Sequence, residues 1–166
     1  GFVSAMRERI IKAAIESLQA EGLKFSVDTI ASKLKISKKT IYKFFPDKET
    51  LAYAIYEKYY ADASEEVKKI REMGDNIPYR LLMVYYNAGL MTRKEIFNKY
   101  KLNAGISSYA AKQHKALWSV ILSALFPAAS RTDGAVLKVI IEGAFEKSTE
   151  YSVSAELVTE KLVTLL

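Results

Sequence analysis

The segment from Ser26 to Leu51, SVDTIASKLKISKKTIYKFFPDKETL, constrains the fold more than any other part of the chain. Ser26 is a good helix N-cap, because its hydroxyl can accept a hydrogen bond from a backbone amide of the first turn. Apolar residues then recur at helical spacing, at Ile30, Ala31 and Leu34. After a break, Ser37 can cap a second short helix over residues 38–44. The segment therefore predicts two short helices joined by a tight turn, and a third helix that opens near Lys48.

The second short helix has an apolar side and a basic side. The residues that can turn inward are Ile41, Phe44 and Phe45. The outward residues are Lys38, Lys39, Thr40, Tyr42 and Lys43. Such a helix suits the major groove of DNA, since ammonium groups meet phosphates and hydroxyls reach base edges or backbone oxygens. A small three-helix subdomain with a solvated basic face explains the spacing equally well, so spacing alone leaves both interpretations open.

Positive charge is concentrated around this segment. The 166 residues carry a formal net charge of +6. Between Lys33 and Lys48 there are six lysines and one acid, Asp47. This clustering is the electrostatic footprint expected of a DNA-binding face, to which Lys24 would add only general attraction. A modest total charge also aids solubility, so the argument rests on where the lysines lie.

The order of residues in this segment resembles the helix-turn-helix of TetR-family transcriptional regulators. The residues that carry the resemblance are Ser26, Ile30, Ala31, Ile36, Ser37, Thr40, Ile41, Tyr42, Phe45 and Lys48 to Leu51. The run from Arg9 to Gly22 resembles the first helix of that family, with apolar residues at Ile10, Ile11, Ala13, Ala14 and Leu18. The resemblance covers about residues 7–55 without a gap and does not extend to the rest of the chain.

Two residues depart from the family pattern. Lys35 stands where the turn usually has a glycine, and Lys39 stands where a small residue is usual near the start of the recognition helix. Lys35 weakens the turn only if its φ is positive, which is costly for a residue other than glycine. Lys39 is expected to alter DNA preference rather than the fold.

The resemblance also implies which residues contact DNA. The predicted contacts are Ser26, Ser37, Lys38, Lys39, Thr40, Tyr42, Lys43 and Lys48. We expect Lys38, Lys39 and Thr40 to lie at or near base edges. The Tyr42 hydroxyl and Lys48 match positions that commonly contact phosphates. For Tyr42, the alternative is a half-buried aromatic ring that closes the small core.

Composition restricts the class of protein. Half of the residues are apolar and 27% are charged, which is ordinary for a globular protein. With seven glycines, three prolines and no persistent strand-like alternation, the chain is predicted to be all-α. The absence of cysteine excludes disulfides and thiolate chemistry, and a cytoplasmic location is expected. The longest uncharged run, from Ala116 to Ser130, is too short to span a bilayer.

Helical periodicity predicts about nine helices. Beyond the two short ones, they are predicted over residues 4–21, 48–73, 77–90, 92–102, 107–126, 132–148 and 154–166. Thr92 and Glu95 are predicted to form a capping box for the sixth helix, and Ser107 or Ser108 is predicted to cap the seventh. We expect an N-terminal helix-turn-helix DNA-binding domain at residues 1–47. A C-terminal helical domain for ligand binding and dimerisation is expected at residues 48–166.

The resemblance further implies a ligand pocket among helices four to eight, whose occupant weakens operator binding. Aromatic and apolar walls with few polar groups suit such a pocket. The candidate lining residues are Tyr59, Met83, Tyr86, Asn87, Leu90, His114, Trp118 and Ile121. A tyrosine or methionine stripe at helical spacing is more often a packed core, and the single histidine is more often satisfied or exposed.

The last two helices carry a candidate association surface. Leu157, Val158, Leu162, Leu165 and Leu166 share one face of the final helix, and Val136, Val139, Ile140 and Gly143 can line the one before it. Packing within their own domain explains this periodicity equally well. Because TetR-like proteins usually dimerise through these two helices, the resemblance implies a homodimer that reads a roughly palindromic operator.

Catalysis has little support. The sequence has one histidine, no cysteine, no glycine-rich phosphate loop and no metal-ligand cluster, so no enzyme activity, metal or cofactor is predicted. The interpretation is a dimeric, sequence-specific DNA-binding repressor that a small apolar or aromatic ligand releases from its operator. One alternative is a regulator that needs no ligand. Another is a helical small-molecule carrier whose helix-turn-helix does not read DNA, and DNA affinity with its salt dependence separates it from a regulator.

Overall fold

The computed structural model describes residues 1–22 and 25–166, with only the helical backbone for residues 2–4. Lys24, for which general electrostatic attraction is predicted, lies outside the described residues. The described residues form helices and no strand, which confirms the all-α prediction. Within them the helices are α1 (Phe2–Glu21), α2 (Val27–Leu34), α3 (Lys38–Phe44), α4 (Lys48–Met73), α5 (Ile77–Met91), α6 (Lys94–Lys99), α7 (Ala104–Leu125), α8 (Arg131–Glu150) and α9 (Ala155–Leu165).

Serine hydroxyls determine where several helices begin. Ser26, Ser37 and Ser154 each accept a hydrogen bond from the backbone amide three residues on. Ser130 does the same for α8, and the Asp133 side chain completes a capping box. Each cap satisfies an amide that has no partner within its own helix. Because caps are local signals, α2 and α3 begin directly after the residues predicted to cap them.

The start of α6 differs from the prediction. The expected capping box of Thr92 and Glu95 is wrong, because the N-cap residue is Arg93 and no side chain caps the helix. The helix is also shorter than predicted, ending at Lys99 rather than near Leu102.

The start of α7 differs as well. The helix begins at Ala104, before Ser107 and Ser108, one of which was predicted to cap it. The reason is Asn103, whose side-chain oxygen accepts a hydrogen bond from the amide of Ile106 at 3.0 Å. Ser107 lies inside the helix, where its hydroxyl donates to a backbone carbonyl.

The chain forms two compact units, of which unit 1 comprises residues 1–62 and 90–113. Within this unit α1 packs on α2, and α2 packs on α3. The buried side chains of its first four helices are spaced three or four residues apart, as one face of a helix requires. They include Met6, Ile10, Ala13, Ala14, Ile30, Ile41, Phe45, Leu51 and Ile55.

Unit 2 comprises residues 63–89 and 114–166. Here α8 packs on α9. At Gly134 a Cβ atom would lie 2.7 Å from Cδ2 of Leu122, so the absence of a side chain lets α8 approach α7 closely. The core is apolar apart from a few hydroxyl groups and includes Val67, Ile70, Leu81, Leu82, Tyr85, Leu117, Ile121, Ile141 and Phe145.

This division does not coincide with the predicted domain boundary after residue 47. Helix α4 contributes residues 48–62 to unit 1 and residues 63–73 to unit 2, and α7 is likewise shared at residue 113. A helix that serves two cores carries one continuous apolar stripe, so hydrophobic spacing gives no sign of where one core ends. The functional division at residue 47 stays a prediction.

Candidate nucleic-acid interface

Backbone hydrogen bonds close the turn between α2 and α3. The amide of Ile36 donates to the carbonyl of Ala31 at 3.0 Å, and the amide of Lys35 donates to that of Ser32 at 3.3 Å. Lys35 has φ 55° and ψ 45°, the left-handed conformation that ends many helices and favours glycine. The turn therefore keeps its glycine-type geometry although the residue is lysine.

Two deeply buried side chains anchor α3. Ile41 and Phe45 are each 1% exposed, and Phe44 is half-buried. The guanidinium of Arg7, on α1, lies 5.2 Å from the centroid of the Phe45 ring, an arrangement in which the cation is attracted to the ring face. The apolar side of α3 thus faces inward as predicted.

The opposite side of α3 presents basic and hydroxyl groups to solvent. Lys39, Tyr42 and Lys43 are exposed, and they share one face because they are three and four residues apart. Tyr42 is 47% exposed, while Thr40 is half-buried. The structure therefore brings these predicted DNA contacts together on one short helix.

Lys38 has a partner on α2 that sequence analysis missed. Its Nζ lies 3.1 Å from Oδ1 of Asp28, and both side chains are more than half exposed. An exposed ion pair of this kind is weak, so the ammonium can exchange the carboxylate for a phosphate. No spacing rule links these two residues, since they lie on different helices.

Ser26 and Ser37 are engaged as helix caps. Each hydroxyl accepts from the amide of the threonine three residues on, at 3.3 Å for Thr29 and 3.1 Å for Thr40. Each also lies 3.0 Å from the hydroxyl of that threonine. Either hydroxyl can be the donor in these contacts, so the serine proton is available to a phosphate oxygen when the threonine donates.

Lys48 opens α4 next to a charged cap. Asp47 accepts hydrogen bonds from the amide and the hydroxyl of Thr50, both at 2.7 Å. These bonds hold the pKa of the Asp47 carboxyl below its ordinary value, so the carboxylate is charged at neutral pH. The Lys48 ammonium is exposed and lies 3.9 Å from the Glu49 carboxylate, and its contact with a phosphate stays a prediction.

The predicted ligand-pocket residues fall into both units. Tyr59 and Leu90 belong to unit 1, and the remaining six belong to unit 2. Burial raises the pKa of Tyr59 to about 12, against the opposing effect of a hydrogen bond with Gln19. The structure therefore does not place all eight residues in one unit.

Within unit 2, His114 and Trp118 pack on a single tyrosine. The His114 ring stacks on Tyr85 with centroids 4.8 Å apart, and Trp118 is tilted against the same ring at 5.0 Å. The Tyr85 hydroxyl donates to Glu142 at 2.5 Å. Burial lowers the pKa of His114, Glu142 opposes that effect, and Lys138 adds to it.

The other unit 2 candidates also make packing contacts or face solvent. The Tyr86 ring meets Phe145 edge-on at 5.1 Å, and the sulfur of Met83 accepts a hydrogen bond from Thr159 at 3.3 Å. Ile121 is fully buried. Asn87 is exposed, whereas a pocket wall would have it at least partly buried. The ligand pocket among these residues stays a prediction.

The predicted association surface is largely exposed, with one correction. The exposed apolar residues of α8 and α9 are Val136, Val139, Ile140, Leu157, Leu165 and Leu166. At Gly143 an added Cβ would meet nothing within 4 Å. Val158 is half-buried, and Leu162 is buried within its own protomer. Leu162 lies on the side of α9 that packs inward, so it does not belong to an outward face.

Other kinds of site have no support in the part of the chain that the structure covers. Residues 1–22 and 25–166 contain no group of three or more His, Cys, Asp or Glu side chains that could hold a metal ion. None of the described helices is long and apolar enough to cross a membrane.

Helices α1 to α4 contain a segment that matches a known protein family. Residues 10–55 match the sequence model of the bacterial regulatory proteins, tetR family. These helices form a TetR-family helix-turn-helix. The match begins at the first buried isoleucine of α1 and ends within α4, so it contains the turn, the recognition helix α3 and Lys48.

Two solved structures share the fold of nearly the whole chain. One is the multidrug binding protein EbrR in complex with imidazole, whose sequence is 18% identical to this chain. The two structures superimpose with a TM-score of 0.58, and the match covers 96% of this chain and 94% of EbrR. A transcriptional regulator (TerR/AcrR family) from Aquifex aeolicus VF5 is 21% identical with a TM-score of 0.56, over 94% of each chain. No curated protein matches the sequence. The chain thus shares its fold with these two proteins over nearly its whole length.

Proposed function

We propose that the chain is a homodimeric repressor that binds a roughly palindromic operator and is released from it by a small apolar or aromatic ligand. The observation that carries this proposal is the exposed face of α3 inside a TetR-family helix-turn-helix. Lys39, Tyr42 and Lys43 share this face, while Ile41 and Phe45 anchor its opposite side in the core. A rigid helix with such a face can enter the major groove.

The contacts divide into those that read sequence and those that position the protein. Lys39 and Thr40, near the start of α3, would reach base edges, and Lys38 would join them by leaving Asp28. The hydroxyl of Tyr42 and the ammonium of Lys48 would bind phosphates. Phosphate contacts carry most of the salt-dependent affinity and little of the specificity.

Dimerisation would use the exposed apolar face of α8 and α9. In a two-fold dimer the same patch meets itself, so Val136, Ile140 and Leu166 of one protomer would pack on the corresponding face of its partner. The absence of a side chain at Gly143 would let two copies of α8 approach closely. Two recognition helices related by a two-fold axis require a palindromic site.

Release by a ligand is supported by the similar EbrR structure, which contains imidazole and belongs to a multidrug binding protein. A ligand weakens DNA binding only if it binds the DNA-incompetent arrangement more tightly than the competent one. Repression and its release by a ligand are both measured on DNA, so a DNA target has to be found first.

The test is fluorescence anisotropy with DNA from around the protein's own coding region, at about 50 mM and about 200 mM salt. Lys48→Ala should weaken binding to all sequences and reduce the salt slope by about one. Lys69→Ala is the matched control, because Lys69 is also an exposed lysine on α4 but lies about 30 Å further along the helix.

Tyr42→Phe tests the phosphate contact of the tyrosine hydroxyl without removing the ring. Its expected effect is weaker binding to all sequences, and Tyr151→Phe, at an exposed tyrosine of unit 2, should bind as the wild type does. If no fragment is preferred and a genome-wide selection also recovers none, the chain does not read DNA, and the carrier interpretation replaces the regulator.

A further inference from the structure

Unit 1 contains a cavity of about 180 Å³ that sequence analysis did not indicate. It lies between the helix-turn-helix on one side and α6 on the other. The helix-turn-helix side is formed by Leu18, Phe25, Ser26, Val27, Ile41, Tyr42 and Phe45 together with the start of α4. The opposite side is formed by Ile96, Tyr100 and Leu102. Because these residues come from separate helices, no sequence pattern marks them as neighbours.

The inner walls of the cavity are apolar and buried. Helix α4 contributes one continuous face at residues 48, 51, 52, 55 and 56, spaced as one side of a helix must be. Leu51, Ile55 and Tyr56 on this face are each at most 5% exposed, as are Ile41 and Ile96 across from it. A guest would therefore be surrounded by aliphatic and aromatic carbon.

Two of the three lining tyrosines, Tyr56 and Tyr100, have their hydroxyls engaged elsewhere. Tyr56 donates to the backbone carbonyl of Met91 at 2.6 Å, and its ring stacks on Phe97 with centroids 5.6 Å apart. Tyr100 donates to the backbone carbonyl of Phe25 at 2.7 Å and meets the Phe25 ring edge-on at 5.9 Å. These bonds hold the rings in place and use the hydroxyl protons within the chain, so the wall suits an uncharged guest.

The opening of the cavity is bordered by residues of the DNA interface. The three exposed lining residues are Tyr42, Asp47 and Lys48. Two of them, Tyr42 and Lys48, are predicted phosphate contacts. A guest at this opening would touch side chains that also have to reach DNA.

We propose that this cavity binds a small uncharged aromatic molecule, and that its occupant and DNA compete for Tyr42 and Lys48. The volume sets the class of ligand, because an apolar cavity of about 150 Å³ in another protein takes benzene. The site lies within the DNA-binding unit, not among the residues predicted to form the C-terminal pocket. The binding half of the proposal is independent of the proposed function, and the competition half rests on it.

Methyl NMR with phenol as the probe tests binding without DNA. With isoleucine methyl groups labelled in the full chain, phenol should shift the signals of Ile41, Ile55 and Ile96 through its ring current. The signals of Ile70 and Ile141, in the core of unit 2 and not among the residues predicted to line the C-terminal pocket, should not move. No shift at the three cavity isoleucines up to millimolar phenol, or shifts only in unit 2, would overturn the site.

A filling substitution tests whether the guest occupies this cavity. Ala52→Leu places an isobutyl group at a lining position and should weaken phenol binding by about tenfold or more, because the guest loses its space. Ala54→Leu is the matched control, since Ala54 is also buried on α4 but does not line the cavity. If overpacking unfolds Ala52→Leu, Leu102→Phe fills the cavity from the opposite, half-buried wall. Unchanged phenol affinity in a folded filled variant would overturn the proposal.

Anisotropy with an operator fragment tests the competition. Phenol at a saturating concentration should lower the affinity of the wild type for DNA and leave that of the filled variant unchanged. Equal affinity with and without phenol, in a protein whose cavity isoleucines do shift, would overturn the competition but not the site. A failure to bind any DNA would overturn the proposed function, and the NMR result would still stand.

Discussion

Lys35 is a residue whose backbone conformation is unfavourable for its own side chain. Its left-handed φ of 55° brings the Cβ of any residue other than glycine close to backbone atoms. We predict that Lys35→Gly stabilises the folded chain by about 1 kcal/mol, because it removes this strain at an exposed site. Denaturant unfolding followed by circular dichroism measures the change.

The control for this prediction separates conformation from charge. Lys35→Ala removes the same ammonium but keeps a Cβ, so it should leave the free energy of unfolding nearly unchanged. If the alanine and glycine variants gained the same stability, the loss of positive charge near the other lysines would be the cause, not φ.

His114 makes stability depend on pH. It is the only histidine of the sequence, and burial in unit 2 lowers its pKa below the ordinary 6.5. The unfolded chain therefore binds a proton more readily than the folded chain near that pH. The stability from a neutral His114 is fully present above about pH 6.5 and is lost as the pH falls towards the folded-state pKa.

The measurement is the free energy of unfolding at about pH 7.5 and about pH 5.5, a window in which histidine titrates. The wild type should be less stable at the lower pH. His114→Phe should lose most of this difference, because it keeps a ring against Tyr85 but has no titrating group. A variant with the same pH dependence as the wild type would show that other groups cause it.

At the scale of elements, α8 tests the proposed dimer. Nothing in the protomer lies within 4 Å of a Cβ added at Gly143. Gly143→Leu should therefore raise the stability of the isolated protomer by about 0.5–1 kcal/mol, because leucine favours helix more than glycine does. If two copies of α8 approach at Gly143, the same substitution should shift the chain from dimer towards monomer.

Analytical ultracentrifugation over a range of concentrations distinguishes these effects. Gly89→Leu is the matched control, since a Cβ at that helical glycine of α5 also meets nothing within 4 Å. It should leave the dissociation constant of the dimer unchanged. If the Gly143→Leu chain is dimeric at the same concentrations as the wild type, the dimer interface does not lie on this face of α8.

At the scale of the whole molecule, the symmetry of the dimer should set the length of DNA that is bound. A two-fold pair of helix-turn-helix units gains from the second half-site only while the protomers stay together. We predict that Gly143→Leu weakens binding to a full palindromic operator but binds a single half-site as the wild type does. Anisotropy with the two DNA lengths measures this, and equal losses on both would place the defect in the helix-turn-helix itself.

Much of the fold could be predicted from the sequence because its signals are local. A serine hydroxyl three residues before a free amide marks where α2 and α3 begin, and apolar spacing marks which side of each helix is buried. The TetR-type helix-turn-helix follows from the same short-range order, which the match at residues 10–55 confirms. The start of α7 was missed because serine and asparagine are both good caps, and only the hydrogen bond of Asn103 selects between them.

What only the tertiary structure decided depends on residues that are far apart in the chain. The ion pair of Lys38 with Asp28 joins two helices, as do the contacts of Met83 with Thr159 and of Tyr86 with Phe145. The burial of Leu162 likewise depends on how α9 packs. The cavity of unit 1 depends most on distant residues, since its walls are formed by residues between Leu18 and Leu102. By itself the sequence determined the helices and the DNA-binding motif, because caps and periodicity act within a few residues. The packing of those helices settled which apolar side chains fill a core and which ones line a cavity.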